Sequence, residues 1–102
     1  MLVVERRKGL TFWRAPAAPV FIVVKKPRRR VKVRTWSPIE VFWVNIGGEV
    51  MASVVLKPFG SAAPKCPDPV RVVIAASPGT VLEGDAAVLP GIGTVIIKRK
   101  RR

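Results

Sequence analysis

The sequence contains no histidine and no tyrosine, and its one cysteine is Cys66. Histidine is the usual general acid or base near neutral pH, so its absence removes the side chain that enzymes use most often for proton transfer. The four Glu and two Asp residues are scattered along the chain, and no group of them has the spacing of metal ligands. We therefore predict that the protein is not an enzyme and has no metal, no cofactor and no small-molecule substrate.

Three short patterns resemble parts of active sites, and each is better explained as local structure. Glu83 and Asp85 flank a glycine between two apolar runs, which is typical of a solvated turn. Cys66 follows a lysine, a neighbour that lowers the pKa of some thiols, but the chain has no histidine to activate it. The sequence Gly91-Ile92-Gly93 lacks the third glycine and the following helix of a dinucleotide-binding loop.

Other scarce residues indicate where the protein works. A single cysteine cannot form a disulfide within the chain, which favours an intracellular or oligomeric setting. The chain has one Asn, no Gln and ten Pro. Because Asn and Gln are thermolabile and proline is enriched in hyperthermophilic proteins, these counts fit a hyperthermophilic, archaeal source. The first residues lack the order of a signal peptide, and the apolar stretch 39–56 is interrupted by charges and glycines. We expect a cytoplasmic or virion location; a secreted mature chain stays open, and a membrane is not an expected partner.

The basic residues are concentrated in two blocks. Residues 1–34 hold eleven Lys and Arg residues against one acid, Glu5, and residues 98–102 are five consecutive Lys and Arg residues. The part between the blocks, 35–97, has a net charge of −2, and the whole chain has a net charge of +13. Crowded like charges repel one another in a compact state, so their concentration indicates an anionic partner.

Apolar runs rich in Val, Ile, Phe, Trp and Thr end at Pro or Gly throughout the chain, a pattern that predicts short β-strands. No segment keeps a helical period long enough to predict a helix. We predict strands at 10–14, 20–26 (ended by Pro27), 30–36, 39–46, 49–56, 70–76, 81–82, 86–89 and 94–98, with a tight two-residue hairpin at Gly47-Gly48. The expected fold is all-β, a single antiparallel β-sandwich of about seven or eight short strands.

The middle and end of the chain carry a resemblance. The segments VFWVNIGGEVMASVVL, VRVVIAASPGTVLEG and LPGIGTVIIK, within 36–98, resemble an immunoglobulin-like β-sandwich of the cell-adhesion-related (CARDB-like) type. The resemblance implies the fold and no functional residue. We expect a sandwich domain at 1–98, with 1–34 as its strongly basic portion, and a basic tail at 99–102.

The segment 30–36 carries the clearest candidate site. Val31, Val33 and Thr35 alternate with basic residues and Trp36, which predicts a strand with one wet face. Alternate residues on a strand are about 6.6–6.8 Å apart, close to the spacing of phosphates along one nucleic-acid strand. Trp36 shares the basic face, where it would stack on a base or pack against an Arg side chain, whereas Trp13 and Trp43 are expected in the core. The residues predicted to contact nucleic acid are Arg28, Arg29, Arg30, Lys32, Arg34, Trp36, Lys98, Arg99, Lys100, Arg101 and Arg102.

Two functional hypotheses follow. The first is a non-enzymatic basic structural protein of a nucleoprotein assembly, ribosome-associated or part of a viral nucleocapsid, that binds the RNA or DNA backbone or another polyanion beside other protein subunits. The second is an immunoglobulin-like structural subunit of a virion surface or filament, assembled by β-strand addition. Deletion of 99–102 is expected to leave thermal stability within a few degrees, because it does not touch the apolar face made by Val31 and Val33.

Overall fold

The computed structural model describes residues 1–100, and every regular element in that range is a β-strand. The strands are β1 (Leu2–Val3), β2 (Glu5–Arg6), β3 (Thr11–Phe12), β4 (Val20–Arg28), β5 (Val33–Thr35), β6 (Ile39–Asn45), β7 (Val50–Leu56), β8 (Ser61–Ala62), β9 (Val70–Ala76), β10 (Ala86–Leu89) and β11 (Gly93–Ile96). The predicted all-β class is confirmed. Within this range there is no helix with the length and apolar character needed to cross a membrane.

A central sheet is formed by five strands in the order β2-β4-β9-β6-β7. β6 and β9 lie side by side in its interior, and all but one residue of each is buried. Successive side chains of a strand point to opposite faces of the sheet, so a strand buried on both faces needs apolar residues at nearly every position. The runs 39–44 and 72–76 meet this requirement apart from Glu40. The strand predicted at 39–46 is formed over Ile39–Asn45.

Each face of the central sheet is covered by a small three-stranded sheet. A first core joins Phe42, Val44 and Ile74 of the central sheet to Leu89 and Val95 of the β1-β10-β11 sheet. On the opposite face, the second core packs central-sheet residues against the β3-β5-β8 sheet, and it contains Val41, Trp43, Val73, Phe12 and Val33. Neighbouring residues of β6 therefore enter different cores, as the two-residue period of a strand requires.

The pairing is mixed, and this corrects the expected antiparallel arrangement. The longest pairs, β4–β9, β6–β9 and β6–β7, are antiparallel, but β1–β10, β2–β4 and β3–β5 are parallel. Each parallel pair contains one strand from residues 2–12. This segment passes through the three sheets in turn and supplies an edge strand to each of them. A strand of two residues is too short to show an alternation of apolar and polar side chains, so the sequence does not predict β1, β2 or β8. The strand predicted at 81–82 is not formed.

Two predicted details of the strands are wrong. β4 continues through Pro27 to Arg28, because the register against β9 shifts between Val23 and Arg28 and a proline is tolerated at such an irregularity. Four residues, 46–49, connect β6 to β7, and the Gly48 N–H donates to the Asn45 carbonyl at 3.1 Å. Gly48 has φ 81°, and Gly47 is not among the residues with positive φ.

Candidate nucleic-acid interface

The segment from Arg30 to Trp36 has one buried and one exposed side, as predicted. Val31 and Val33 are fully buried in the second core. The side chains that alternate with them are exposed: Arg30, Lys32, Arg34 and Trp36. Regular strand pairing is limited to Val33–Thr35, so the predicted strand was too long although the alternation extends beyond it. We call Arg30, Lys32 and Arg34 the basic row.

Hydrogen bonds from distant parts of the chain hold the backbone of the basic row. The Trp43 indole Nε1–H donates to the Val31 carbonyl at 2.8 Å, and Trp43 is fully buried, as predicted. The Arg34 N–H donates to the Leu10 carbonyl at 3.0 Å, and the Cys66 N–H donates to the Arg29 carbonyl at 2.9 Å. The row is therefore fixed before any ligand arrives, so binding does not require a new backbone segment to be ordered.

The positive charge of this region is not neutralised by neighbouring carboxylates. Within residues 1–100, the ion pairs closer than 4.0 Å are those of Arg99 with Glu40 and with Glu83. Arg28 and Arg29 are also exposed and precede the row. These five cations of 28–34 thus concentrate positive charge that no carboxylate of the described residues pairs with.

An exposed aromatic cluster lies at the end of the basic row. Trp36 stacks on Trp13 with ring centroids 5.0 Å apart and an interplanar angle of 15°, and it contacts the Phe59 ring edge-on at 5.1 Å. The three residues flank β3, β5 and β8, which pair with one another and so bring the rings together. Trp13 is 67% exposed, so its predicted core position is wrong. Phe12 occupies the inward position of β3, and the next residue therefore points outward.

Phe59 has an uncommon backbone conformation. Its φ is 62°, the left-handed region that bulky residues rarely adopt. It occupies the third position of a turn in which the Gly60 N–H donates to the Lys57 carbonyl at 2.9 Å, and glycine is the usual residue at that position. Sequence reasoning missed Phe59, because a proline-rich connection shows no periodicity that would identify an exposed ring.

The aromatic cluster and Arg34 line a shallow groove of about 420 Å³. Its other lining residues are Thr11, Thr35, Gly60 and Ser61, so no carboxylate faces it. The groove therefore combines flat apolar surfaces with a guanidinium group, an arrangement suited to an anionic ligand with flat rings.

The C-terminal block contains a structural ion pair. The Arg99 guanidinium donates from Nε to Glu40 Oε2 at 2.6 Å and from Nη2 to Glu40 Oε1 at 2.9 Å, and it also contacts the Val81 carbonyl. The side chain of Glu40 is 4% exposed and that of Arg99 is 29% exposed. The hydrogen bond to Glu40 raises the pKa of Arg99 above its usual value. Deletion of 99–102 would leave a buried carboxylate without its partner, so the expectation of unchanged stability is replaced by an expected loss.

The basic row and the Arg99 ion pair lie on opposite sides of the central sheet. Val41 points to the face of the central sheet that the β3-β5-β8 sheet covers, and the basic row lies on the outer side of that covering sheet. Glu40, which binds Arg99, has the same parity along β6 as Phe42 and therefore points to the other face. Lys98 and Lys100 are exposed, whereas the predicted contacts Arg101 and Arg102 lie outside the described residues.

The side chains considered for catalysis or metal binding are engaged in the fold. Burial raises the pKa of the Cys66 thiol. Asp85 accepts a hydrogen bond from the Leu82 N–H at 2.9 Å, and Glu83 accepts one from the Arg99 N–H at 2.9 Å. Residues 1–100 contain no group of three or more His, Cys, Asp or Glu that is placed to hold a metal ion.

Comparison of the chain with models of protein families, with curated proteins and with solved structures finds no match.

Proposed function

We propose that the protein is a non-enzymatic structural component of a nucleoprotein assembly and binds nucleic-acid phosphates through its basic row. The observation that carries the proposal is the alternation of Arg30, Lys32 and Arg34 with buried valines, on a backbone anchored by Trp43. Positive side chains in fixed positions neutralise phosphates and release condensed counterions, which supplies most of the affinity for a nucleic-acid backbone. A ribosome-associated protein and a nucleocapsid protein both fit this role.

The test is a comparison of two variants with equal loss of charge. Changing Arg30, Lys32 and Arg34 together to Ala is expected to weaken binding to a single-stranded oligonucleotide roughly 100-fold at about 0.1 M salt, because each lost phosphate contact removes about 0.7 from the salt slope. The control changes Arg6, Lys8 and Lys65 to Ala, all of which are exposed, outside the row and outside the set of residues predicted to contact nucleic acid. Fluorescence anisotropy of the labelled oligonucleotide gives the affinities.

The control variant is expected to lose less than about tenfold in affinity, since it removes only long-range attraction. Both variants should unfold at nearly the parent temperature, because neither change reaches a buried side chain. Equal losses for the two variants would contradict a specific role of the row and leave only non-specific attraction by net charge.

A second candidate function is supported by the exposed edge of the central sheet. β7 is an edge strand that pairs only with β6 within the described residues, and its Val55 is 56% exposed. The edge strand has seven residues, and a sheet edge whose outer backbone groups face solvent is a template for strand addition. On this proposal the domain is an immunoglobulin-like subunit of a virion surface or filament. Assembly without nucleic acid that depends on concentration, and that Val55→Lys abolishes in sedimentation, would favour it.

A further inference from the structure

We propose that the groove formed by Trp13, Trp36 and Phe59 stacks unpaired bases, so that the ligand is single-stranded nucleic acid. The inference rests on the proposed function and names the substrate class of the same surface. Its first support is exposure: Trp13 is 67%, Trp36 46% and Phe59 75% exposed. Because Trp36 covers one face of Trp13, an exposure this large requires the opposite face of the Trp13 ring to be open to solvent.

The conformation of Phe59 is the second support. A left-handed backbone costs a bulky residue free energy that glycine would not lose, and such conformations concentrate at ligand sites. The turn does not need an aromatic ring at this position, where glycine is the usual residue. The neighbouring Gly60 is where the turn excludes a side chain, because a Cβ there would lie 2.7 Å from the Lys57 carbonyl oxygen. The ring of Phe59 is instead placed against Trp36 at the edge of the groove.

Charge selects among the ligands that bind aromatic surfaces. Aromatic cages for methylated amines enclose a cation, but here Arg34 lines the groove and no carboxylate faces it. Trp36 also follows the basic row directly, in the same alternation. A ligand that crosses both features must have negative charge repeated along a chain and flat rings that are free to stack. Nucleic acid has both.

The bases must also be accessible. In a duplex, each base is stacked and paired, so its face cannot reach an aromatic side chain on a protein surface. In a single strand the bases turn outward and stack on Trp or Phe with little dependence on sequence. The cluster therefore favours single strands over duplexes, whereas the basic row alone attracts both.

The experiment titrates the protein with a short oligothymidylate, with a duplex of the same length, and with polyphosphate, which has charge but no bases. We expect the single strand to bind at least about tenfold more tightly than the duplex and to quench tryptophan fluorescence, with little quenching by polyphosphate. Trp43 is fully buried and does not respond, so quenching reports Trp13 and Trp36.

Three variants separate stacking from folding. Trp13→Leu and Phe59→Gly should each weaken single-strand binding roughly tenfold and leave duplex binding within about twofold. Phe59→Gly should unfold at or above the parent temperature, because glycine accepts φ 62° without steric cost. The matched control Leu82→Ala, which removes an exposed apolar side chain elsewhere, should change none of these values.

The outcomes distinguish this inference from the proposed function. Equal, salt-dependent affinity for single strand, duplex and polyphosphate, without quenching, would overturn base stacking and leave phosphate binding intact. Absence of binding to all three would overturn both. A fourth titration uses heparin, an anionic sugar chain. Quenching by heparin without quenching by the oligothymidylate would overturn the assignment to nucleic acid.

Discussion

Replacement of Arg99 by alanine is expected to lower the free energy of unfolding by about 3 kcal/mol, the lower end of the range for breaking a buried ion pair. Glu40 lies in the interior of the central sheet with its side chain 4% exposed, and Arg99 contacts both of its carboxylate oxygens. Without Arg99, that carboxylate is buried and unpaired. The lower end applies because the Arg99 side chain is itself 29% exposed, so water can enter the space it leaves.

Lys98 and Lys100 provide matched controls for this prediction. Both are exposed and flank Arg99, so Lys98→Ala and Lys100→Ala should each change the free energy of unfolding by less than about 0.5 kcal/mol. Combining Glu40→Gln with Arg99→Ala should recover part of the loss, because a buried amide costs less than a buried carboxylate. Urea denaturation measures all four proteins against the parent. Equal effects of Arg99→Ala and Lys100→Ala would show that the pair does not stabilise the fold.

Replacement of Trp43 by alanine is expected to cost about 4 kcal/mol, since it removes the largest fully buried side chain and leaves a cavity in the second core. Trp43→Phe should cost about 2 kcal/mol, because the Val31 carbonyl then loses the indole N–H that donates to it at 2.8 Å. Since Val31 lies between Arg30 and Lys32 of the basic row, Trp43→Phe should also loosen the backbone that carries Lys32.

The matched control is the same substitution at an exposed tryptophan. Trp13→Phe keeps an aromatic ring on Trp36 and should change the free energy of unfolding by less than about 1 kcal/mol, because Trp13 is 67% exposed. Thermal denaturation of the two Phe variants compares the positions directly. Similar losses at both would mean that the Trp43 hydrogen bond and its buried surroundings contribute little.

The parts of the fold that the sequence predicts are those governed by the two-residue period of a strand. Val31, Val33 and Thr35 were assigned to the inner face from alternation alone, and all three are buried. β9 has the predicted bounds, because its apolar run ends at residues that break strands on both sides. The burial of alternate residues and the bounds of β9 both depend on residues that are neighbours in the chain, so the local sequence pattern is sufficient to predict them.

The features that the sequence did not predict depend on residues distant in the chain. Glu40 and Arg99 are 59 positions apart, and nothing local indicates that one cation of a basic block is paired while its neighbours are exposed. Trp13 stacks on Trp36 only because β3 pairs with β5, a two-residue pairing with no sequence signal. The aromatic half of the candidate site therefore required the tertiary structure, whereas the basic half was visible in the sequence.

The most direct test of the central claim, that the basic face of residues 28–34 binds nucleic-acid phosphates, is the salt dependence of binding by the unmodified protein. If five to seven phosphates are contacted, a plot of log K against log salt concentration for duplex DNA should have a slope of about −4 to −6, at roughly −0.9 per contact. A plot without slope, or no detectable binding at about 50 mM salt, would contradict the claim.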